Sequence, residues 1–194
     1  MSYNYLFYVK GIIMKLNIGS GYKKVEGFLN VDHDPLTAAD FCFNIEQDPW
    51  PFENNSVEEI RAHHILEHLG EGFFHVMKEM YRVCKHAAII DIIVPHHRHD
   101  HYFGDPTHRR PITAQMLKQF SKKYCDWHKE TYGSSSGFAP RLGVDFELAD
   151  EQYTVEFEYA ELLDQGRHEE IAALAKRFNN VYVDCFIKLL VIKE

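Results

Sequence analysis

The chain has 194 residues, a length that suits one domain with one substantial core. Hydrophobic residues make up 45% and charged residues 26%, which is typical of an ordinary globular protein and excludes a disordered one. The net charge of -8 at pH 7 is the opposite of the basic surface that general nucleic-acid binders carry, so we exclude that class of partner.

The first residues, 1–13, are rich in aromatic side chains but are interrupted by Lys10 and Gly11. A membrane span needs about 20 apolar residues, and a signal peptide needs a basic start and a small-residue cleavage site, which this stretch lacks. We therefore predict an appendage at 1–13 and a single domain at 14–194, with a cytoplasmic location and no membrane association. An arm that packs on the sheet or on a second subunit is the alternative, and it leaves a homodimer open.

The four cysteines are far apart in the sequence and include no C-x-x-C pair. Spacing of this kind predicts buried, reduced thiols in a cytosolic protein and neither a disulfide framework nor a thiolate metal site. The cysteines are Cys42, Cys84, Cys125 and Cys185.

A glycine turn between two apolar runs is the first motif with a chemical meaning. The run at 16–18 leads into Gly19-Ser20-Gly21, and a second run at 28–31 ends at Asp32. Glycines let the backbone approach a ligand closely, and a carboxylate at the next strand's end accepts both hydroxyls of a ribose. The nine residues between the runs are fewer than the dozen that a parallel crossover usually needs. Either the first helix is reduced to a loop or a single turn, or the crossover is not a standard one.

The remaining elements follow from periodicity. The β-branched run at 87–94 predicts a buried central strand, and apolar residues at helical spacing predict an amphipathic helix at 71–84. Alternating strands and helices favour an α/β fold with a largely parallel sheet and helices on both faces. Further strands are predicted at 40–45, 57–62, 146–158 and 181–192, and further helices at 114–124, capped by Thr113, and at 161–178.

Four motifs follow one another in the chain: LNIGSG, NVD, DPWPFENNSVEEI and HHILEHL. With them the chain resembles the class I S-adenosylmethionine-dependent methyltransferases, and among these the compact bacterial type 11-like group. The resemblance covers residues 14–113 well and is looser beyond. It implies a Rossmann-like, mostly parallel sheet with an antiparallel C-terminal edge strand, S-adenosylmethionine as the cofactor, and methyl transfer to a small-molecule or saccharide acceptor.

The resemblance also implies which residues hold the cofactor. Asp32 would accept the ribose hydroxyls, Asn44 would face the adenine amino group, and His63 would lie on the sulfonium side. Asn17 and Asn44 stand where many members have acids, which favours an alternative: a catalytically inactive relative that only binds. The full set of implied cofactor-binding residues is Asn17, Gly19, Ser20, Gly21, Asp32, Asn44, Ile45 and His63.

A histidine-rich loop, HHRHDHYFGDPTHRRP, follows the buried central strand. Ligands of open α/β sheets bind at the carboxyl ends of the strands, so we expect this loop to meet the HHILEHL segment in one pocket. Such a pocket would be a substrate site, with His64 or His97 as general base and an arginine that holds an anion. The predicted catalytic residues are His64, His97, Asp105, His108 and Arg109.

Two other interpretations of the same loop stay open. Imidazole and carboxylate side chains suit a divalent ion, which would make the protein a metal-dependent hydrolase. None of the predicted helices contains an H-x-x-x-H pair, and the sequence has no Cys/His knuckle, so we assign no metal ligands. In the third interpretation DPTH is a capped turn, the histidines are solvated, and Glu67 with His68 is a pair that stabilises the fold.

Overall fold

The computed structural model of the protein describes residues 14–134 and 137–193. The predicted appendage at 1–13 lies outside the described residues. The strands that the structure describes form one seven-stranded sheet in the order β3-β2-β1-β4-β5-β7-β6. They are β1 (Met14–Ile18), β2 (Leu29–Asp32), β3 (Phe41–Cys42), β4 (Val57–His63), β5 (Cys84–Pro95), β6 (Phe146–Val155) and β7 (Tyr182–Val191).

The first five strands are parallel, and β7 is antiparallel to both β5 and β6. The predicted α/β class, the mostly parallel sheet and the antiparallel C-terminal strand are confirmed. β7 lies one position inside the sheet, and β6 forms the outer edge. The strand order reverses between β1 and β4, which is the place where α/β sheets open a crevice for ligands.

The helices connect and cover the strands. The predicted amphipathic helix is confirmed as α1, whose inner face buries Phe73, Met77 and Met80 against the sheet. In the described part of the chain, the helices are too short or too polar to cross a lipid bilayer. The helices are α1 (Phe73–Val83), α2 (Asp100–Phe103), α3 (Ala114–Leu117), α4 (Lys122–Tyr132), α5 (Ala139–Leu142), α6 (Ala160–Asp164) and α7 (His168–Ala175), with 3-10 turns at Pro35–Thr37, Leu66–His68, Lys118–Phe120 and Phe157–Tyr159.

Two predicted helices are each divided by a local backbone signal. The helix predicted at 114–124 is wrong as one piece: α3 continues as a 3-10 turn to Phe120, and then Ser121 is extended. The Ser121 Oγ accepts a hydrogen bond from the Tyr124 N–H and so caps the start of α4. The helix predicted at 161–178 is also wrong as one piece. Gly166 has a φ of +69°, outside the helical region, and separates α6 from α7.

The connection from β1 to β2 contains no helix, which is one of the two outcomes that its short length in the sequence predicts. Residues 19–28 form turns and irregular backbone without a helix, so the first crossover is reduced to a loop. The strand predicted at 40–45 is confirmed only over Phe41–Cys42, and residues 43–48 turn away to form one wall of the candidate site.

The prediction of buried thiols is right for Cys84, Cys125 and Cys185 and wrong for Cys42, which is exposed.

Candidate functional site

A cavity of about 200 Å³ opens where the strand order reverses. Its walls come from the segments that follow β1, β2, β3 and β4, so it lies at the carboxyl ends of these strands. Apolar and polar side chains share the lining, as in most sites for small organic ligands. The lining residues are Gly19, Asp32, His33, Phe43, Asn44, Ile45, Glu46, Ile65, His68 and Leu69.

The glycine turn after β1 has positive φ angles, which glycine adopts freely and other residues adopt only with strain. Gly19 and Gly21 have φ values of +64° and +52°. A Cβ atom on Gly19 would lie 2.6 Å from Cγ1 of Ile65. Ile65, from the segment after β4, therefore packs directly on the turn, and Gly19 is required by both its backbone and its neighbour.

Asp32 ends β2 and presents a preoriented carboxylate to the cavity. Its Oδ2 accepts a hydrogen bond from the Gly21 N–H at 2.8 Å, and its Oδ1 accepts one from the Asp34 N–H at 2.9 Å. The side chain is only 9% exposed. Each carboxylate oxygen has a second lone pair, so the group can accept further hydrogen bonds from a ligand while its own loop holds it in place.

The third segment supplies an apolar wall and one amide. Phe43 and Ile45 line the cavity, and Leu69 faces them from the segment after β4. Asn44 lies between them, and its Oδ1 accepts a hydrogen bond from the Glu46 N–H at 2.9 Å. A flat, largely apolar ring with a polar edge would fit such a wall.

Glu46 is a cavity residue that the sequence analysis missed. Its Oε2 accepts hydrogen bonds from the N–H groups of Gly70 and Gly72, at 2.9 and 3.0 Å. A Cβ atom on Gly72 would lie 2.4 Å from the Glu46 Cβ, so the second glycine is needed for this close approach. The G-E-G triplet after HHILEHL indicated a close approach of the backbone to another group. It does not identify the carboxylate to which the two glycine N–H groups donate.

Four of the residues implied for cofactor binding lie outside the described lining of the cavity: Asn17, Ser20, Gly21 and His63. Asn17 is buried and donates to Asn30 Oδ1 at 2.9 Å and to the Lys23 carbonyl at 3.4 Å. Ser20 is buried in the glycine turn. His63 Nε2 lies 2.7 Å from Asp91 Oδ2 on β5, and this contact lowers the pKa of the Asp91 carboxyl. Gly19, Asp32, Asn44 and Ile45 line the cavity.

Beside the cavity, the HHILEHL and DPTH segments meet around the buried carboxylate of Glu67. His64 Nδ1 lies 3.6 Å from Glu67 Oε1, and this carboxylate raises the pKa of His64. The rings of His68 and His108 have centroids 4.6 Å apart in an edge-to-face arrangement. The backbone N–H of Arg109 donates to the Glu67 carbonyl at 2.7 Å, which ties the two segments together.

Hydrogen bonds within the DPTH turn orient the two imidazoles. Asp105 Oδ1 accepts from the N–H and the hydroxyl of Thr107, and these bonds lower the pKa of Asp105. Thr107 Oγ1 in turn lies 2.9 Å from His68 Nδ1. His108 Nδ1 lies 2.7 Å from the Tyr102 carbonyl, and the two rings are stacked.

The predicted catalytic residues divide into two groups. His64 and His108 lie beside Glu67, and Asp105 Oδ2 lies 3.9 Å from His108 Nε2. His97 belongs to a second group at the end of β5, where the centroids of its ring and the His96 ring are 4.3 Å apart. Burial lowers the pKa of His97, and Arg98 adds to the effect. The side chain of Arg109 is exposed, while the next residue, Arg110, donates to the carbonyls of Leu69 and Gly70.

The buried imidazole of His96 predicts a loss of stability in acid. Its ring packs against Tyr153 and Tyr182, and desolvation, together with His97, Arg98 and His99, lowers its pKa to about 4. Because the unfolded chain binds this proton near pH 6.5, the contribution is complete above that pH and is lost as the pH falls toward 4.

At pH 5 this effect should lower the free energy of unfolding by about 2 kcal/mol relative to pH 7.5. Urea unfolding at both pH values measures it, and His96→Asn is the control, since an amide oxygen can still accept from the Arg98 N–H. An equal acid loss in both proteins would show that His96 is not the group responsible.

No family model matches the chain, and none of the curated proteins does. Solved structures match most of it at low sequence identity. A SAM-dependent methyltransferase from Archaeoglobus fulgidus is 18% identical with a TM-score of 0.56, over 94% of this chain and 88% of that one. The cyclase SpnF is 13% identical with a TM-score of 0.55, over 96% and 78%.

A third structure holds ligands. It is phosphoethanolamine N-methyltransferase 2 from Haemonchus contortus in complex with phosphomonomethylethanolamine and S-adenosylhomocysteine, 13% identical with a TM-score of 0.53. The match covers 93% of this chain and 49% of that one, so the chain spans about half the length of that protein. With a parallel sheet that reverses between β1 and β4 and ends in the antiparallel pair β6 and β7, this chain has the fold of the class I S-adenosylmethionine-dependent methyltransferases.

Proposed function

We propose that the protein binds S-adenosylmethionine in the cavity between β1 and β4 and transfers its methyl group to a small-molecule or saccharide acceptor. The Asp32 carboxylate is the observation that carries the proposal. It ends β2, lines the cavity, and is held by the backbone N–H groups of Gly21 and Asp34 at 2.8 and 2.9 Å. A ribose offers two adjacent hydroxyl donors to a carboxylate in this position.

The shape of the cavity supports adenosine as the part that it encloses. Phe43, Ile45 and Leu69 form the apolar wall for the adenine ring, and Asn44 lies at its edge. The volume of about 200 Å³ is below the roughly 300–1,000 Å³ of a pocket for a complete drug-sized ligand. Gly19 and Ile65 would therefore contact the methionine part outside the enclosed space.

The charge of the lining supports a cationic cofactor. Asp32 and Glu46 place two carboxylates on the wall of one small cavity. Such a field attracts the positive sulfonium of S-adenosylmethionine and weakens the binding of its neutral product, S-adenosylhomocysteine. Product release would benefit from this difference.

The proposed reaction is an in-line displacement. A lone pair of the acceptor forms a bond to the methyl carbon, the bond from carbon to sulfur breaks with its electrons going to sulfur, and S-adenosylhomocysteine leaves. Alignment of the three atoms supplies most of the rate enhancement. The acceptor's proton would pass to His64, which follows β4, is exposed, and contacts Glu67 at 3.6 Å. His97, Asp105, His108 and Arg109 remain candidates for contacts with the acceptor.

Calorimetric titration with S-adenosylmethionine tests this proposal. We expect one site per chain, and S-adenosylhomocysteine should compete for it. Because the ligand binds the folded state, a concentration of 100 times Kd should stabilise the protein by about 2.7 kcal/mol and raise its melting temperature. The absence of binding heat and of a thermal shift with both compounds at millimolar concentration would contradict the proposal.

A second candidate is a binding protein that keeps the fold without turnover. Two observations favour it: the Asn17 amide is bonded to the protein's own chain, and Ile65 packs on Gly19. A protein named a cyclase has the same fold, so the fold alone does not require methyl transfer. Transfer of a labelled methyl group to a metabolite extract separates the candidates, because only the enzyme labels an acceptor. The single domain at 14–194, the cytoplasmic location and the homodimer stay predictions.

A further inference from the structure

Three side chains next to the cavity place atoms that can bind a metal ion close to one another. Glu67, His68 and His108 each offer one metal-ligating atom, and these atoms lie within 4.8 Å of one another. Glu67 is only 1% exposed, and neither of its carboxylate oxygens accepts a hydrogen bond from the described residues. It contacts His64 Nδ1 at 3.6 Å, which is longer than a hydrogen bond. A carboxylate that is buried without a hydrogen bond calls for a cation or a proton.

The hydrogen bonds of the two histidines determine which nitrogen is available. His108 Nδ1 lies 2.7 Å from the Tyr102 carbonyl, which can only accept, so Nδ1 carries the proton. Thr107 donates its hydroxyl to Asp105 at 2.6 Å, so its oxygen accepts from His68 Nδ1 at 2.9 Å. In both rings Nε2 therefore keeps its lone pair, as a metal-binding histidine requires.

From these groups we infer that Glu67, His68 and His108 bind a divalent transition-metal ion such as Zn²⁺. Two imidazoles and one carboxylate suit Zn²⁺ or a neighbouring first-row ion, whereas Mg²⁺ and Ca²⁺ prefer sites made of oxygen atoms. Ligand distances of about 2.0–2.1 Å separate tetrahedral ligand atoms by about 3.4 Å. Small side-chain rotations would close the present separation, which is at most 4.8 Å.

The surroundings of the three residues resemble the outer shell of a metal site. Thr107 and the Tyr102 carbonyl hold the far nitrogens of the two rings, and such partners fix ring orientation and raise ligand basicity. The backbone N–H groups of Arg109 and Arg110 both donate to the Glu67 carbonyl, at 2.7 and 3.3 Å. These bonds keep the two ligand segments in contact.

The inferred ion would have a coordination position open to the cavity. His68 is a ligand and also lines the cavity, so the site adjoins the space of the cofactor. Three protein ligands leave the fourth position of a zinc ion for water or substrate. An acceptor oxygen or nitrogen bound there would lose its proton more readily; this role rests on the proposed function, whereas the metal site itself does not.

Metal titration of the full chain, produced without a histidine tag and dialysed against a chelator, tests the inference. We expect ZnCl₂ to bind with one equivalent in calorimetry and Co²⁺ to give visible d–d absorption. Glu67→Gln, His68→Ala and His108→Ala should each weaken Zn²⁺ binding by more than about 100-fold. Thr107→Ala should weaken it by about 10-fold, and Thr107→Ser, which keeps the hydroxyl, should restore it.

His128→Ala is a matched control. Its Nδ1 also lies 2.8 Å from a backbone carbonyl, that of Ser134, but His128 belongs to α4 and not to the cluster. Zn²⁺ affinity unchanged in this variant and lost in the His68 and His108 variants would support the site. A lack of Zn²⁺ binding by the wild type, or equal binding by all variants, would overturn it.

Two readouts keep the outcomes separate. Circular dichroism shows whether each variant is folded, and the partly exposed His68 provides a test even where Glu67→Gln does not fold. S-adenosylmethionine titration of the metal-free protein measures the proposed function independently. If the wild-type protein binds Zn²⁺ but not S-adenosylmethionine, only the proposed function is rejected. If it binds S-adenosylmethionine but not Zn²⁺, only the metal site is rejected.

Discussion

Replacement of Gly19 with alanine is expected to lower the free energy of unfolding by about 2–4 kcal/mol and to remove detectable binding of S-adenosylmethionine. Two costs add. A non-glycine residue at a φ of +64° is strained, and the new Cβ would lie 2.6 Å from the Ile65 side chain. Urea unfolding measures the first effect and calorimetry the second.

Gly27→Ala is the control for Gly19→Ala because it separates strain from contact. Gly27 belongs to the same loop and has a φ of +81°, but a Cβ there would meet no atom within 4 Å. Gly27→Ala should therefore lower the free energy of unfolding only by the backbone strain, about 1–2 kcal/mol, and should keep the affinity for the cofactor. The double variant Gly19→Ala/Ile65→Gly tests the contact, because it removes all three clashing side-chain atoms of Ile65, whereas Ile65→Ala would keep the Cβ at 2.8 Å. Equal losses for Gly19→Ala and Gly27→Ala would contradict the role given to Ile65.

The second large effect is expected from Asp32→Ala. Removal of the carboxylate should weaken S-adenosylmethionine binding by about 1–3 kcal/mol, or roughly 5- to 150-fold in Kd, because the ribose hydroxyls lose a charged acceptor. It also leaves the N–H groups of Gly21 and Asp34 without their acceptor, which should destabilise the fold by about 1–3 kcal/mol. Calorimetry and urea unfolding of the same preparation give the two quantities separately.

Asp34→Ala is the matched control. Asp34 lies in the same loop and also accepts one backbone N–H, that of Leu36 at 2.9 Å, but it does not line the cavity in the described structure. We expect a small loss of stability and an unchanged affinity for the cofactor. If Asp34→Ala weakened binding as much as Asp32→Ala, general negative charge and not contact with the ribose would explain the affinity.

The part of the cavity around the glycine turn and Asp32 was readable from the sequence, because its signals are local. The run at 16–18, the glycine turn and Asp32 are neighbours in the chain, and short-range patterns set their geometry. Asn44 and Ile45 were placed by resemblance, and both line the cavity. Asn17 was not readable in this way, because its partner Asn30 lies on the adjacent strand, where strand register and not sequence spacing brings the two amides together.

The parts of the cavity and its surroundings that come from the segments after β3, β4 and β5 were less predictable, because they depend on contacts between distant segments. Glu46 meets Gly70 and Gly72 across 24 and 26 residues, and no periodicity predicts such a pairing. The histidine-rich loop was expected to converge on one pocket. Instead α2 lies within it, and His97 contacts His96 while His108 joins Glu67 and His68.

The loop that replaces a helix between β1 and β2 affects which nucleotides the crevice accepts. In dinucleotide-binding folds, the amino end of that helix points its partial positive charge at a pyrophosphate. Residues 19–28 supply no helical macrodipole, and the facing Asp32 and Glu46 are anionic. The crevice should therefore repel NAD and ATP while it admits adenosyl compounds that carry no phosphorus.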